Sequence, residues 1–285
     1  MRSKVPIFKK LSTDFTNQLK RVRPYIYREA LHMGKIAIQL YSVRDHTSKD
    51  FLGTLRKLGE MGYEAVQFAG FFDTPANELK QVMDESGLVA AGSHMPFDSL
   101  TGDQLEASLT YNKTIGNDLI ICPILPEELR ADEGAYYRAA EELNEIGRKC
   151  SEAGFTFAYH NHNMEFFDLG NGKRGFDILF EETDREYVKM ELDCYWATHA
   201  GVDPLQTIKA YDDLVVSLHI KDMTVENGEK RSIEIGKGSL DIGTLWETGE
   251  SVGVDWYVIE QEQFDGDPLE SARENVENLK AKVRK

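Results

Sequence analysis

From Lys35 onward, short β-branched or aromatic runs alternate with longer stretches of helical period. That alternation is the signature of βαβ units around a parallel sheet. Eight strands are predicted, at Lys35–Leu40, Ala65–Phe68, Val89–Ser93, Asp118–Cys122, Thr156–His162, Val188–Asp193, Val215–Ile220 and Trp256–Gln261. Between them lie amphipathic stretches such as Asp50–Met61, Pro75–Ser86, Glu133–Ala153 and Pro268–Val283. In the first, Phe51, Leu52, Leu55 and Leu58 fall near one face, as a helix packed on a sheet requires. Gly62, Gly87, Gly116, Gly154 and Gly253 each stand one to three residues before a strand, where a left-handed helix end is expected.

Eight such units match the usual size of a single-domain (β/α)8 TIM barrel, about 250 residues. An open doubly wound sheet would normally carry a glycine-rich phosphate loop after its first strand. Gln39-Leu40-Tyr41-Ser42-Val43-Arg44 contains no glycine, which favours the barrel. The chain is read as a basic N-terminal extension, residues 1–34, followed by a barrel domain, residues 35–285. The extension, with an amphipathic stretch through Phe15, Leu19, Val22, Tyr25 and Ile26, is expected to be a surface helix or a tail.

Charge changes the picture. The formal net charge of the 285 residues is -16, yet residues 1–33 hold eight Lys or Arg against two acids. The remainder is therefore strongly acidic and would repel a phosphate backbone, which argues against nucleic acid as a partner. Cys122, Cys150 and Cys194 are odd in number and widely spaced, forming neither a disulfide framework nor a CxxC site. With no apolar run of the ~18 residues a membrane span needs and no signal-peptide pattern, a cytoplasmic protein is expected.

In a TIM barrel, catalytic groups come from the C-terminal ends of strands and the loops after them. The last four predicted strands end in Tyr159-His160-Asn161-His162-Asn163-Met164-Glu165-Phe166, Glu191-Leu192-Asp193-Cys194-Tyr195-Trp196, Leu218-His219-Ile220-Lys221-Asp222 and Val258-Ile259-Glu260-Gln261-Glu262. Four consecutive strands thus deliver carboxylates and imidazoles to one rim. Such an oxygen and nitrogen set suits one Mn2+, Mg2+, Zn2+ or Co2+ ion with positions open for two substrate oxygens. A lone strand-end carboxylate is more often a helix cap or a solvated loop residue. The coincidence of four strands is what raises the reading.

These segments, with Ile38–Arg44, Ser93-His94 and Gly236-Lys237-Gly238-Ser239-Leu240-Asp241, resemble the sugar phosphate isomerase/epimerase group of the xylose isomerase-like barrels, from Lys35 to about Leu279. The resemblance implies one divalent metal held by residues of the last four strands, with Asp193, His219 and Glu260 in three places. Gapless matching puts the fourth, a Glu in many relatives, at His160. Glu165, five residues on, is the preferred ligand, leaving His160 and His162 as ligand substitute or acid/base. The expected chemistry is proton abstraction beside a carbonyl of a keto-sugar or cyclitol through a metal-stabilised enediolate. Glu260 or a strand-five histidine would be the base, Lys221 a further catalytic group, and Gln39, His94 and Trp196 the substrate contacts. Loss of a β-substituent from the same intermediate would make the enzyme a dehydratase or a lyase of a 3-keto-glycoside. A metal-dependent nuclease is disfavoured by the acidic body, and a non-catalytic sugar-binding barrel would need no convergent ligands. Barrel faces often dimerise, so a homo-oligomer is compatible with the sequence. Arg44 and Lys237 are the only rim cations to suggest for a substrate phosphate.

Overall fold

The computed structural model describes residues 33–170 and 172–284. The predicted extension therefore lies, through residue 32, outside the described residues. Eight parallel strands close a barrel in the order β1-β10-β7-β6-β5-β4-β3-β2. They are β1 (Lys35–Gln39), β2 (Ala65–Phe68), β3 (Val89–His94), β4 (Leu119–Cys122), β5 (Thr156–His160), β6 (Lys189–Asp193), β7 (Val215–Ile220) and β10 (Trp256–Ile259). The closed parallel sheet is the (β/α)8 architecture the alternating pattern predicts. The strands for β5 and β10 end two residues earlier than predicted, because His162 and Gln261 already belong to the loops that follow them.

The predicted helices form at Phe51–Glu60, Ala76–Glu85, Glu133–Glu152 and Pro268–Val283. In the first, Phe51, Leu55 and Leu58 are buried, and Asp50 caps the N-terminus through Gly53 N at 2.9 Å. Gly116 and Gly253 end their helices in the left-handed region, at φ 76° and 83°, where a side chain would be strained. The strands of one hairpin were not predicted. Strands β8 (Asp222–Glu226) and β9 (Glu229–Ile233) form an antiparallel hairpin. Its turn is Asn227-Gly228, both at positive φ, the pair a two-residue hairpin turn favours.

Strand alternation sorts the side chains into two compartments. Ile36, Ile38, Val66 and Phe68 join the large core between sheet and helices. Their neighbours Ala37, Ala65, Ala91 and Val258 form a separate small cluster inside the barrel. Nearer the C-terminal ends of the inward rows stand Gln39, Gln67, His160, Asp193, His219 and Glu260, all buried. The interior is apolar at its lower end and polar toward the C-terminal ends of the strands. That polar layer is the floor of the site.

Candidate active site

The inward row of β6 contributes Glu191 and Asp193, and that of β7 contributes Ser217, His219 and, just beyond the strand, Lys221. Register sets His160 beside Glu191 and Asp193 beside His219. Glu191 is fully buried. Its Oε1 lies 2.7 Å from His94 Nε2, 3.0 Å from His160 Nδ1 and 3.0 Å from His219 Nε2. Its Oε2 accepts from Gln67 Nε2 at 2.5 Å and from Ser217 Oγ at 2.8 Å. On the other side of the His219 ring, Nδ1 lies 2.9 Å from Glu260 Oε2 and 3.8 Å from Asp193 Oδ2. The Lys221 ammonium sits 2.8 Å from both Asp193 Oδ2 and Glu260 Oε2, and 2.6 Å from Glu262.

The electrostatics follow from this crowding of buried groups. Burial opposes the charge on His219, yet Glu191 and Glu260 push its pKa up to about 10. His160 goes the other way. Burial, then the charge of His219, hold it well below the ordinary imidazole range against the pull of Glu191, so it is neutral. Burial likewise lowers His162. Burial resists ionisation of Glu191 and Glu260 as well, but the histidines around Glu191, and Lys221 with His219 beside Glu260, hold both well below the carboxylate range. Burial pushes Asp193 up, against Lys221 and His219.

Above this floor opens a cleft of about 510 Å³. His94, His160, His162, Glu260 and Glu262 line its polar side, and Tyr41, Phe71, Met95, Pro96, Pro123 and Ile124 line its apolar side. His162 Nδ1 is buried with no hydrogen-bond partner. Asp193 divides its work: Oδ1 caps the short helix Cys194–His199 through Trp196 N at 2.9 Å, and Oδ2 faces the site.

Asp193, His219, Glu260, His160 and Lys221 thus come together, with His94 and His162 at the cleft. Glu165 does not join them. Its oxygens accept from Tyr159 Oη at 2.7 Å and from His162 N at 2.9 Å. Tyr159 is on the opposite strand face from His160, so the carboxylate that follows it points to the helix side of β5. The expected ligand serves the loop instead. Gln39 lies in the floor and does not line the cleft: it donates to Gln67 Oε1 at 2.7 Å and accepts from Tyr41 N. Trp196 stands behind His162, with ring centroids 6.0 Å apart, and Lys221 Nζ lies 5.4 Å from its ring. Arg44 donates to the Tyr41 and Glu262 carbonyls, and Lys237 pairs with Glu274, so neither suggested rim cation is free for a phosphate. Glu191 and Gln67 were missed, although inward-facing polar residues of the same period would have flagged both.

Residues 55–282 match the family model of the xylose isomerase-like TIM barrel. The chain belongs to that family. Among curated relatives within reach, the inosose dehydratase of Lacticaseibacillus casei is 26% identical over 145 residues, 44% of this chain and 47% of that protein. The chain therefore spans about half the length of that relative. A sugar phosphate isomerase/epimerase from Parabacteroides distasonis aligns with a TM-score of 0.73 at 23% identity, over 86% of this chain and 97% of the other. The 3-keto-D-glucoside 4-epimerase of E. coli aligns with a TM-score of 0.63 at 17% identity, over 87% and 100%. At these identities the solved structures establish the xylose isomerase-like fold alone. No described helix is long and apolar enough to cross a membrane.

Proposed function

We propose that this chain is a divalent-metal-dependent isomerase or epimerase of a keto-sugar or cyclitol, and that residues 35–285 are its catalytic barrel. The observation that carries this reading is the convergence of Asp193, His219 and Glu260, whose ligand atoms lie within 4.8 Å of one another at the polar floor of the cleft. The donor set fits a cation. Two carboxylates with an imidazole suit Mn2+, Mg2+, Zn2+ or Co2+. Asp193 Oδ2, although paired in charge with Lys221, is a buried oxygen with no hydrogen bond in good geometry.

When bound, the cation would polarise a substrate carbonyl and steady the charge left by removal of the neighbouring proton. His162, neutral and with an unpartnered ring nitrogen at the cleft, accepts that proton. Lys221 keeps a positive charge beside the reacting oxygen, anchored by Glu262. His94 is the second proton carrier. The rings of His94 and His162 stand 4.9 and 5.0 Å from that of His160, so the two carriers flank the floor. Return of the proton to another carbon or the opposite face gives the isomer or epimer. Protonation of a departing hydroxyl gives a dehydratase, the second reading, favoured by the inosose dehydratase relative.

Elemental analysis of purified protein tests the metal, with Asp193→Ala and His219→Ala beside the wild type. One ion per chain, lost in both folded variants, is expected. Proton NMR in D2O with ketohexoses and scyllo-inosose then tests the chemistry: deuterium should enter the carbon beside the carbonyl, with or without loss of water. A wild type that takes up no metal from Mn2+ or Zn2+ solutions, yet binds sugar, would leave a non-catalytic sugar-binding barrel in its place.

A further inference from the structure

Glu262 anchors Lys221, yet only one of its oxygens does so. Oε1 lies 2.6 Å from Lys221 Nζ, while Oε2 makes no hydrogen bond among the described residues. The Glu262 side chain is 23% exposed and lines the cleft, whereas Lys221 beneath it is buried. The backbone that carries this carboxylate is pinned from two directions. Glu262 N donates to Ser232 Oγ at 3.0 Å, and Arg44 Nη2 donates to the Glu262 carbonyl at 3.3 Å. Ser232 is a buried residue of the β8–β9 hairpin, and both its N and its Oγ donate to Gln263 Oε1, at 2.8 and 2.6 Å. The hairpin therefore fixes the loop after β10, and with it the place of Glu262 at the cleft.

We propose that Glu262 is a specificity-determining residue: its carboxylate accepts hydrogen bonds from neighbouring hydroxyls of an uncharged polyhydroxy ketone and repels a phosphorylated one. The inference rests on the keto-sugar reading above and deepens it by naming the substrate class.

Charge decides between the two classes. Among the described residues that line the cleft, the acids are Glu260 and Glu262, and there is no lysine or arginine. The Lys221 ammonium below them is already shared by Asp193, Glu260 and Glu262. A divalent cation would add positive charge, but Asp193 and Glu260, which would hold it, supply as much negative charge. An ionised carboxylate offers only acceptor positions. Hydroxyls fill these with strong charge-assisted bonds. A phosphate monoester, mostly a dianion near neutral pH, has no proton to give and meets a like charge instead. The other side of the cleft, with Met95, Pro96, Pro123 and Ile124, suits the C–H face of a ring and offers an anion no partner.

The test is deuterium exchange beside the carbonyl, followed by proton NMR in D2O on the metal-loaded full chain, with ketohexoses each paired against their own 1- and 6-phosphates. In the wild type, kcat/KM for the uncharged member should exceed that for the phosphates at least about a hundred-fold. Glu262→Gln should raise KM for the uncharged ketose roughly tenfold and shrink the preference at least about tenfold. Any loosening of Lys221 in that variant lowers kcat for both members of a pair alike, so the ratio reports recognition. Ser232→Ala, which frees the loop, should move the ratio the same way by a smaller factor. A wild type that prefers a phosphate would overturn the assignment, and so would an unchanged ratio in Glu262→Gln. Exchange in no member of any pair removes the enediolate reading, and calorimetric binding of the same pairs then decides the selectivity alone. Tighter binding of the uncharged member, with a narrower preference in Glu262→Gln, upholds it; tighter binding of the phosphate, or binding of neither, overturns it.

Discussion

The two halves of the barrel rim are built from different chemistry. Loops after β1 to β4 bring Tyr41, Phe71, Met95, Pro96, Pro123 and Ile124 to the cleft, and the end of β3 adds His94. The ends of β5, β6, β7 and β10 bring three carboxylates, two histidines and a lysine within ion-pair reach of one another. One half is a largely apolar wall, and the other is a charged floor. A closed barrel allows this division because each strand end is an independent position on the same ring. Polar groups are costly to bury singly but tolerable as a connected network, so they gather on adjacent strands.

Substitutions should divide along the same line. The largest effect is expected from His219→Ala or Glu260→Ala, with kcat falling roughly a thousand-fold or more as metal is lost. Retained turnover in either variant would dissolve the contrast. His162→Ala should lower kcat by roughly 10²- to 10⁴-fold while leaving bound metal unchanged, as expected for a proton carrier. A parallel loss of metal would make it a ligand instead. On the opposite wall, Phe71→Ala should raise KM about tenfold with little change in kcat, the signature of a contact made equally in ground and transition states. A kcat effect there as large as that of His162→Ala would mean the wall takes part in the chemistry.

The smallest effect concerns stability without metal. In the folded metal-free chain the His219 pKa is raised from 6.5 to about 10. Its contribution is therefore fully present below pH 6.5 and is lost as pH rises through about 10. Chemical denaturation of chelator-treated protein across that window should reveal a decline that His219→Gln flattens. An equal decline in the variant would assign the effect to other groups.

The reactive half was the more legible in the sequence. Asp193, His219 and Glu260 occupy strand ends whose alternation fixes the direction of their side chains, so a residue count finds them. Glu165 could not be placed in this way, because it lies beyond the strand, where a short 3-10 turn replaces the two-residue period. Glu191 obeyed the period and stood in the strand-six segment, but one inward position deeper than Asp193, and it was not singled out as a site residue. The apolar wall comes from loops and one side of short turns, which carry no periodic signal. The β8–β9 hairpin did announce itself, through Asn227-Gly228, in a stretch where a helix was the default between parallel strands.

Asp193 carries a consequence for how the site can be dissected. One of its oxygens starts the helix of Trp196 and His199, while the other faces the ion-pair cluster. The scaffold and the chemistry therefore share a single foundation stone, and alanine at this position removes both. Asparagine keeps an oxygen for Trp196 N and surrenders the negative charge, and is a favoured residue at that helix position. Comparison of Asp193→Asn with Asp193→Ala would separate what the protein needs in order to stand from what it needs in order to react.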